Sequence, residues 1–309
     1  MPRVLVTGAT GFIGRHCLPL LAQLGYEVHA VSSHGPLPEF PQLRWYQSDL
    51  LAADTVSALV AVVRPTHLLH LAWIATPGVY WESPVNVDWV RTSLALLRAF
   101  EQYGGKRAVF AGSCAEYDWR YGYCSEDTTP LAPSTLYGVA KHCLAMLVQA
   151  YAARAGLSAG WGRLFFVYGP HEAPSRLVPS VVQALLQGQP AYCSHGNQMR
   201  DFLHVADAAH ALVTLLGSDF SGPVNIASGV PVRVKDLISH ITNVLGHEEL
   251  VHLGARPSPI DEPAFLIGDV RRLGDGVGWH PSYGIETGML QTIEWWRQHL
   301  SGLRKGEST

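Results

Sequence analysis

Charge is scarce in this sequence, and what there is nearly cancels. Only 15% of the 309 residues are Asp, Glu, Lys or Arg, and 22 basic against 25 acidic residues leave a formal net charge of -3. Nucleic-acid binding depends on neutralising phosphates with Lys and Arg, so no nucleic-acid partner is expected. Long apolar runs are missing too: none reaches the ~18 residues that a membrane span needs. The chain enters its first apolar run without the basic, apolar and cleavage regions of a secretory leader. These features predict a soluble, cytoplasmic protein with no membrane partner. The five cysteines (Cys17, Cys114, Cys124, Cys143, Cys193) are odd in number and form no C-x-x-C pair, which fits free thiols in a reducing compartment. The 15 histidines form no H-E-x-x-H or other ligand-spaced cluster, so no metal site is expected.

What is present is a chain with 48% hydrophobic residues. At about 150 residues per domain it is long enough for one large α/β domain or two modest ones. Apolar strand-like runs at 4–7, 27–31, 43–47, 67–71, 108–111 and 158–164 alternate with helical stretches. The helices run from the first glycine turn to about Leu24, over 54–63, up to about Tyr103, and over 136–155. This alternation predicts right-handed βαβ units and a parallel sheet covered on both faces. From Gly169 onward the elements shorten, which predicts a second, smaller lobe. Within it, 205–216 reads as a helix, 224–226 as a strand returning to the main sheet, 288–300 as an amphipathic helix, and 304–309 as a frayed tail.

Gly8, Gly11 and Gly14 lie between the first strand and the first helix. Missing side chains there let the backbone turn tightly and meet a pyrophosphate at a helix N-terminus. At the end of the second strand, NAD enzymes place a carboxylate for the ribose 2′-hydroxyl. Here Val31 is followed by Ser32, Ser33 and His34, and Arg15 is the nearby cation. Hydroxyls and a cation accommodate a 2′-phosphate, so NADP(H) is the expected cofactor, with NAD(H) as the other candidate.

Tyr137 and Lys141 stand four residues apart, on one helix face. A neighbouring ammonium and a bound nicotinamide ring are expected to lower the phenol's pKa so that it can exchange a proton with a carbonyl oxygen. Ser113 follows the strand at 108–111 and would sit at the carboxyl edge of the sheet, where such folds bind ligands. A serine that only caps a helix is the alternative.

Together with Asp49-Leu50, His70-Leu71-Ala72, Tyr168-Gly169-Pro170, Arg200-Asp201-Phe202 and Gly278-Trp279-His280-Pro281, these residues occur in the order seen in extended short-chain dehydrogenase/reductases. The chain resembles their NAD-dependent epimerase/dehydratase family, which acts on nucleotide-linked sugars. The resemblance implies an α/β, Rossmann-type doubly wound parallel sheet with a smaller C-terminal substrate-binding lobe. The dinucleotide-binding domain would span 1–168, with 199–229 returning to it, and the lobe 169–198 and 230–309.

It also implies catalytic roles for Ser113, Tyr137 and Lys141. Gly8, Gly11, Phe12, Ile13, Gly14, Arg15, Ser32, Ser33, Asp49, Leu50, Leu71 and Ala72 would hold the cofactor together with Tyr137 and Lys141. The substrate would meet Trp73, Ser113, Cys114, Phe166, Arg200 and Arg256. A homodimer pairing through the helix of Tyr137 and the preceding one is implied as well.

Departures from the family pattern narrow the reaction. Family 4,6-dehydratases resemble one another in an acidic pair directly after the Ser or Thr, and decarboxylases keep a Glu at the second of those positions. Here the two positions are Cys114 and Ala115, and Glu116, one step later, is expected to turn away. Trp89 and Phe166 stand where asparagines are common. What remains is hydride transfer at a ring carbon. The first reading is a 4-ketoreductase of a keto-deoxysugar nucleotide and the second a nucleotide-sugar 4-epimerase; a non-catalytic dinucleotide sensor is the third. Trp73, Tyr80, Trp81 and Trp89 could wall the sugar pocket or belong to the core.

Overall fold

The computed structural model describes residues 1–258 and 262–306. The chain opens with β1 (Arg3–Thr7), α1 (Gly14–Gln23), β2 (Glu27–Ser32), β3 (Arg44–Gln47), α2 (Thr55–Val63), β4 (His67–His70), α3 (Val85–Gln102) and β5 (Arg107–Ser113). A 3-10 turn (Cys114–Glu116) and β6 (Tyr123–Cys124) lead into α4 (Leu136–Ala155), β7 (Ser158–Leu164) and β8 (Phe166–Tyr168). Then follow α5 (Leu177–Leu186), β9 (Ala191–Tyr192), β10 (Met199–His204), α6 (Val205–Gly217) and β11 (Gly222–Ile226). The last elements are β12 (Pro231–Arg233), α7 (Val234–Leu245), β13 (Val251–His252), β14 (Phe265–Gly268) and α8 (Ile285–Gly306).

Seven strands pair in the order β11-β7-β5-β4-β1-β2-β3, all parallel. Side chains alternate across this sheet because successive Cβ atoms point to opposite faces. Val4 and Val6 of β1 enter a core with Cys17, Leu18 and Leu21 of α1 and Leu212 and Leu216 of α6. Leu5 points the other way, into a core with Leu59 of α2, Leu96 of α3 and Leu144 of α4. Strands buried on both faces need near-continuous apolar runs, which is why they could be read from the sequence. The expected doubly wound α/β sheet is thus present.

Of residues 199–229, α6 and β11 join the large sheet's layers. β10 instead lies in the smaller sheet, β12-β10-β14-β6, where β8 also pairs with it. α5, α7 and α8 pack around a separate core that includes Val182, Leu237 and Ile293. α8 exceeds the expected 288–300 at both ends and is helical through Gly306, so 304–306 are not frayed in backbone. The rest of that expected tail, 307–309, lies outside the described residues.

The chain order reverses between β1 and β4, the neighbours at the centre of the sheet. Ligands of open α/β sheets bind outside the carboxyl ends of the strands at such a switch point. The glycine turn follows β1, the Leu71-Ala72 turn follows β4, and Ser113 ends β5.

Candidate active site

The glycine turn is built by close approach. Gly8 has φ +67°, and a Cβ there would lie 2.8 Å from the Ala72 nitrogen. At Gly14 a Cβ would lie 2.1 Å from the Gly8 carbonyl oxygen. Gly11 donates a 3.0 Å hydrogen bond to that same oxygen and keeps more room, 3.1 Å. The Thr7 hydroxyl locks the neighbouring turn by accepting from the Leu71 and Ala72 N–H groups (3.2 and 3.3 Å). It also meets His70 Nδ1 at 2.7 Å, and His70 Nε2 meets Ser93 Oγ at 2.8 Å. Burial, helped by the charge of Lys141, pulls His70 down to about 3, so the ring serves as a neutral bridge. A cradle in which side chains have no space, at a helix N-terminus, fits a dinucleotide diphosphate. Phe12 and Ile13 are half-buried in the same turn, and Leu50 is buried. Asp49 is exposed and caps Leu51 N–H at 3.0 Å.

At the end of β2, Ser32 Oγ meets Thr10 Oγ1 at 3.0 Å and accepts from His34 N–H at 3.1 Å, while Ser33 Oγ meets His34 Nδ1 at 3.0 Å. Arg15, however, is engaged elsewhere. It contacts His171 Nδ1 and lies 3.7 Å from Glu39. To hold a 2′-phosphate its guanidinium would have to exchange those partners.

Ser113 ends β5 with extended backbone and starts the 3-10 turn. Its hydroxyl accepts from Ala115 N–H at 3.1 Å, so the capping role considered for it is real. Because that bond uses an oxygen lone pair, the hydroxyl proton is left for the Tyr137 oxygen or a substrate oxygen. Tyr137 and Lys141 sit in the first turns of α4, which Thr135 caps by accepting from Gly138 N–H at 3.1 Å. Lys141 Nζ donates to the Ala111 carbonyl at 2.7 Å and lies over the Trp73 ring. Burial lowers its pKa to about 7, an effect that Glu116 opposes.

The phenol is governed by burial in the protein alone. Burial pushes Tyr137 above its ordinary range, the hydrogen bond with Ser113 pulls it back in part, and the protein's own Lys141, with Nζ 5.9 Å from the ring centre, does not bring it down. Low dielectric penalises a phenolate more than that cation compensates. Tyr137 is thus protonated as it stands.

The acid positions of dehydratases carry no carboxylate. Glu116 does turn away, its oxygens taken by Ser113 N–H, Trp161 Nε1 and Arg163 Nε. Cys114 is buried, and burial raises its thiol far above the ordinary range.

The aromatic segment divides in two. Trp73 stacks on Trp89 (6.0 Å, 26°) and donates to Asn86 Oδ1 at 2.8 Å, so its face is given to Lys141. Tyr80 and Trp81 meet the Tyr137 ring edge-on at 4.9 and 5.7 Å, and Trp81 O accepts from Tyr137 N–H at 2.9 Å. Arg176 lies 5.5 Å over Tyr80. Neither Arg176 nor Glu172, a buried carboxyl pushed up to about 8, was singled out from sequence. The only signal was their place shortly after Tyr168-Gly169-Pro170. Phe166 lies under the Arg200 guanidinium (5.5 Å), and Arg200 pairs with Glu262 at 2.8 Å. Arg256 is exposed, and its N–H donates to the Cys193 carbonyl at 3.0 Å. Among the described residues no group of three or more His, Cys, Asp or Glu could hold a metal ion.

A doubly wound sheet with a glycine cradle at its switch point and Ser, Tyr and Lys at its carboxyl edge defines an enzyme class of the extended short-chain dehydrogenase/reductase type. Sequence comparison makes this specific. The chain belongs to the NAD dependent epimerase/dehydratase family, whose model matches residues 4–227. YtcB of Bacillus subtilis (strain 168), an uncharacterized UDP-glucose epimerase, is 28% identical over 327 positions, covering 99% of this chain and 100% of that protein. MoeE5, solved in complex with UDP-glucuronic acid and NAD, is 33% identical with a TM-score of 0.84 over 96% of this chain and 99% of that one. The UDP-glucose 4-epimerase of Thermus thermophilus, solved with NAD, is 26% identical with a TM-score of 0.85 over the same shares. The protein is an enzyme of this nucleotide-sugar class, as the resemblance implied. No helix among the described residues is long and apolar enough to cross a membrane.

Proposed function

We propose that the protein is an NAD-dependent 4-epimerase of a nucleoside-diphosphate hexose. The observation that carries this is the Ser113, Tyr137 and Lys141 set at the sheet edge, with no carboxylate at 114 or 115 and Glu116 turned into the core. Hydride exchange at a ring carbon needs one proton donor and acceptor, whereas elimination and decarboxylation need a further acid. The names of the relatives, UDP-glucose epimerases among them, support the same substrate class.

When bound, an oxidised nicotinamide would take hydride from C4 and return it. Gly8, Gly11 and Gly14 would admit its diphosphate, with Ser32 and Ser33 toward the adenosine ribose and Lys141 toward the other. Tyr137, as the phenolate that Lys141 and the bound nicotinamide together would favour, would take the proton of the C4 hydroxyl as hydride leaves C4 and return it to the C4 oxygen as hydride comes back, while Ser113 would donate a hydrogen bond to that oxygen. Arg200 and Arg256 would face the nucleotide diphosphate.

One observation favours a second reading, an NADP(H)-dependent 4-ketoreductase. The end of β2 offers hydroxyls and no carboxylate, which suits a 2′-phosphate and an exchangeable reductant. Incubation with UDP-glucose, UDP-galactose and a 4-keto-6-deoxy sugar nucleotide separates the two. C4 epimers appearing without net change in nicotinamide absorbance support the epimerase; stoichiometric NADPH loss on the keto sugar supports the reductase; inertness toward all overturns both.

A homodimer belongs to the same reading. Val87 of α3 and Val139, Met146 and Leu147 of α4 are exposed apolar residues on neighbouring helices, a face that pairing would cover. The five unpaired thiols suit a reducing, cytoplasmic setting.

A further inference from the structure

Beneath Ser113 lies a charge network out of contact with solvent. Glu116, Trp161 and Asn225 are fully buried, and Arg163 and Tyr117 nearly so. Glu116 Oε1 accepts from Ser113 N–H at 2.8 Å and from Trp161 Nε1 at 2.9 Å; its Oε2 accepts from Arg163 Nε at 2.9 Å. Arg163 Nη1 reaches Tyr117 Oη at 3.0 Å, and that hydroxyl donates to Asn225 Oδ1 at 2.8 Å. Asn225 Nδ2 closes the chain on the carbonyls of Cys124 (2.9 Å) and Asp269 (3.1 Å). A buried ion pair adds little stability over apolar residues of the same volume, so one placed here calls for a task.

We propose that Glu116 is a positioning residue for the reaction. Its carboxylate fixes the Ser113 peptide, and through the reciprocal cap the Ser113 hydroxyl, while setting a negative charge within electrostatic reach of Lys141. The inference rests on the proposed epimerase reading. The charged and titratable groups around Glu116 are Arg163 from β7, Tyr137, Lys141 and His142 from α4, and Cys114 and Tyr117 from its own segment. His70 from β4 also senses Lys141. Of these groups, Glu116 is the one that opposes the fall of the Lys141 pKa on burial.

The test compares Glu116→Gln, Glu116→Asp and the charge-free pair Glu116→Gln/Arg163→Gln with the wild type. Readouts are kcat and KM, and the pH titration of the Lys141 ammonium by nitrogen-15 NMR, which needs no substrate. For Glu116→Gln, kcat should fall about tenfold with KM within about twofold, and the Lys141 titration should move down by about half a pH unit. Glu116→Asp, which keeps the charge but shortens the reach, should lose kcat while holding the Lys141 titration. If Glu116→Gln does not fold, the double variant carries the same two expectations without an uncompensated arginine. Wild-type kcat and titration in a folded charge-free variant would overturn the proposal, as would failure of both to fold, which would make the segment purely structural. If the wild type turns over no nucleotide sugar, the functional reading fails separately, and the Lys141 titration still decides the reach of Glu116.

Discussion

The Lys141 ammonium lies 3.8 Å from the centre of the Trp73 ring, on the side of the sheet where β5 ends. A cation over an indole face gains about 0.5–2 kcal/mol. Trp73→Leu removes that face, and kcat should fall by about two- to thirtyfold, since each 1.4 kcal/mol is about tenfold. Steady-state kinetics check this. A rise in KM alone would instead make Trp73 a wall of the sugar pocket.

Lys141 also dictates a pH dependence. It is charged below about 7 and neutral above, so support for the Tyr137 phenolate fades as pH rises, and kcat/KM should bend downward through that value. Stability runs the other way. The folded pKa is depressed from 10.5, so between about 7 and 10.5 the unfolded chain binds the extra proton, and this group's contribution to stability rises with pH. Thermal midpoints measured from pH 6.5 to 9.5 should show a rising component that Lys141→Met lacks.

The glycine cradle predicts a graded response. Gly14→Ala forces a Cβ to 2.1 Å from the Gly8 carbonyl and Gly11→Ala only to 3.1 Å. Overpacking of the first kind costs about 1–3 kcal/mol. By isothermal titration, Gly14→Ala should lose about tenfold or more in dinucleotide affinity, and Gly11→Ala distinctly less. Equal losses would mean that the backbone does not approach the diphosphate at residue 14.

For the exposed apolar face of α4, charge is the probe. Met146 and Leu147 are 52% and 47% exposed, so Met146→Glu with Leu147→Lys should leave the fold intact and shift sedimentation from dimer to monomer. A wild type that sediments as a monomer at micromolar concentration removes the dimer reading.

The legible parts of this molecule were local or periodic. Apolar runs revealed strands because both faces of a parallel strand are buried, and Tyr137 and Lys141 revealed themselves because four residues make one helical turn. The turned-away Glu116 could be read from its offset along the chain. Its partner could not, since Arg163 lies 47 residues on and only the sheet brings β5 and β7 together. For the same reason the Thr7, His70 and Ser93 bridge, and the packing of Tyr80 and Trp81 on Tyr137, were not visible. The rise of the Tyr137 pKa was missed because burial is a property of the whole fold, whereas a neighbouring lysine can be seen in a string of letters.

Asn225 sets an order on how the enzyme comes into being. A ribosome that has reached Arg200 has made the glycine turn, the serine, the tyrosine and the lysine. It has not yet made Asn225, nor Asp269, whose carbonyl that amide also holds. The nascent chain therefore carries its full reactive set before the last support beneath the serine exists.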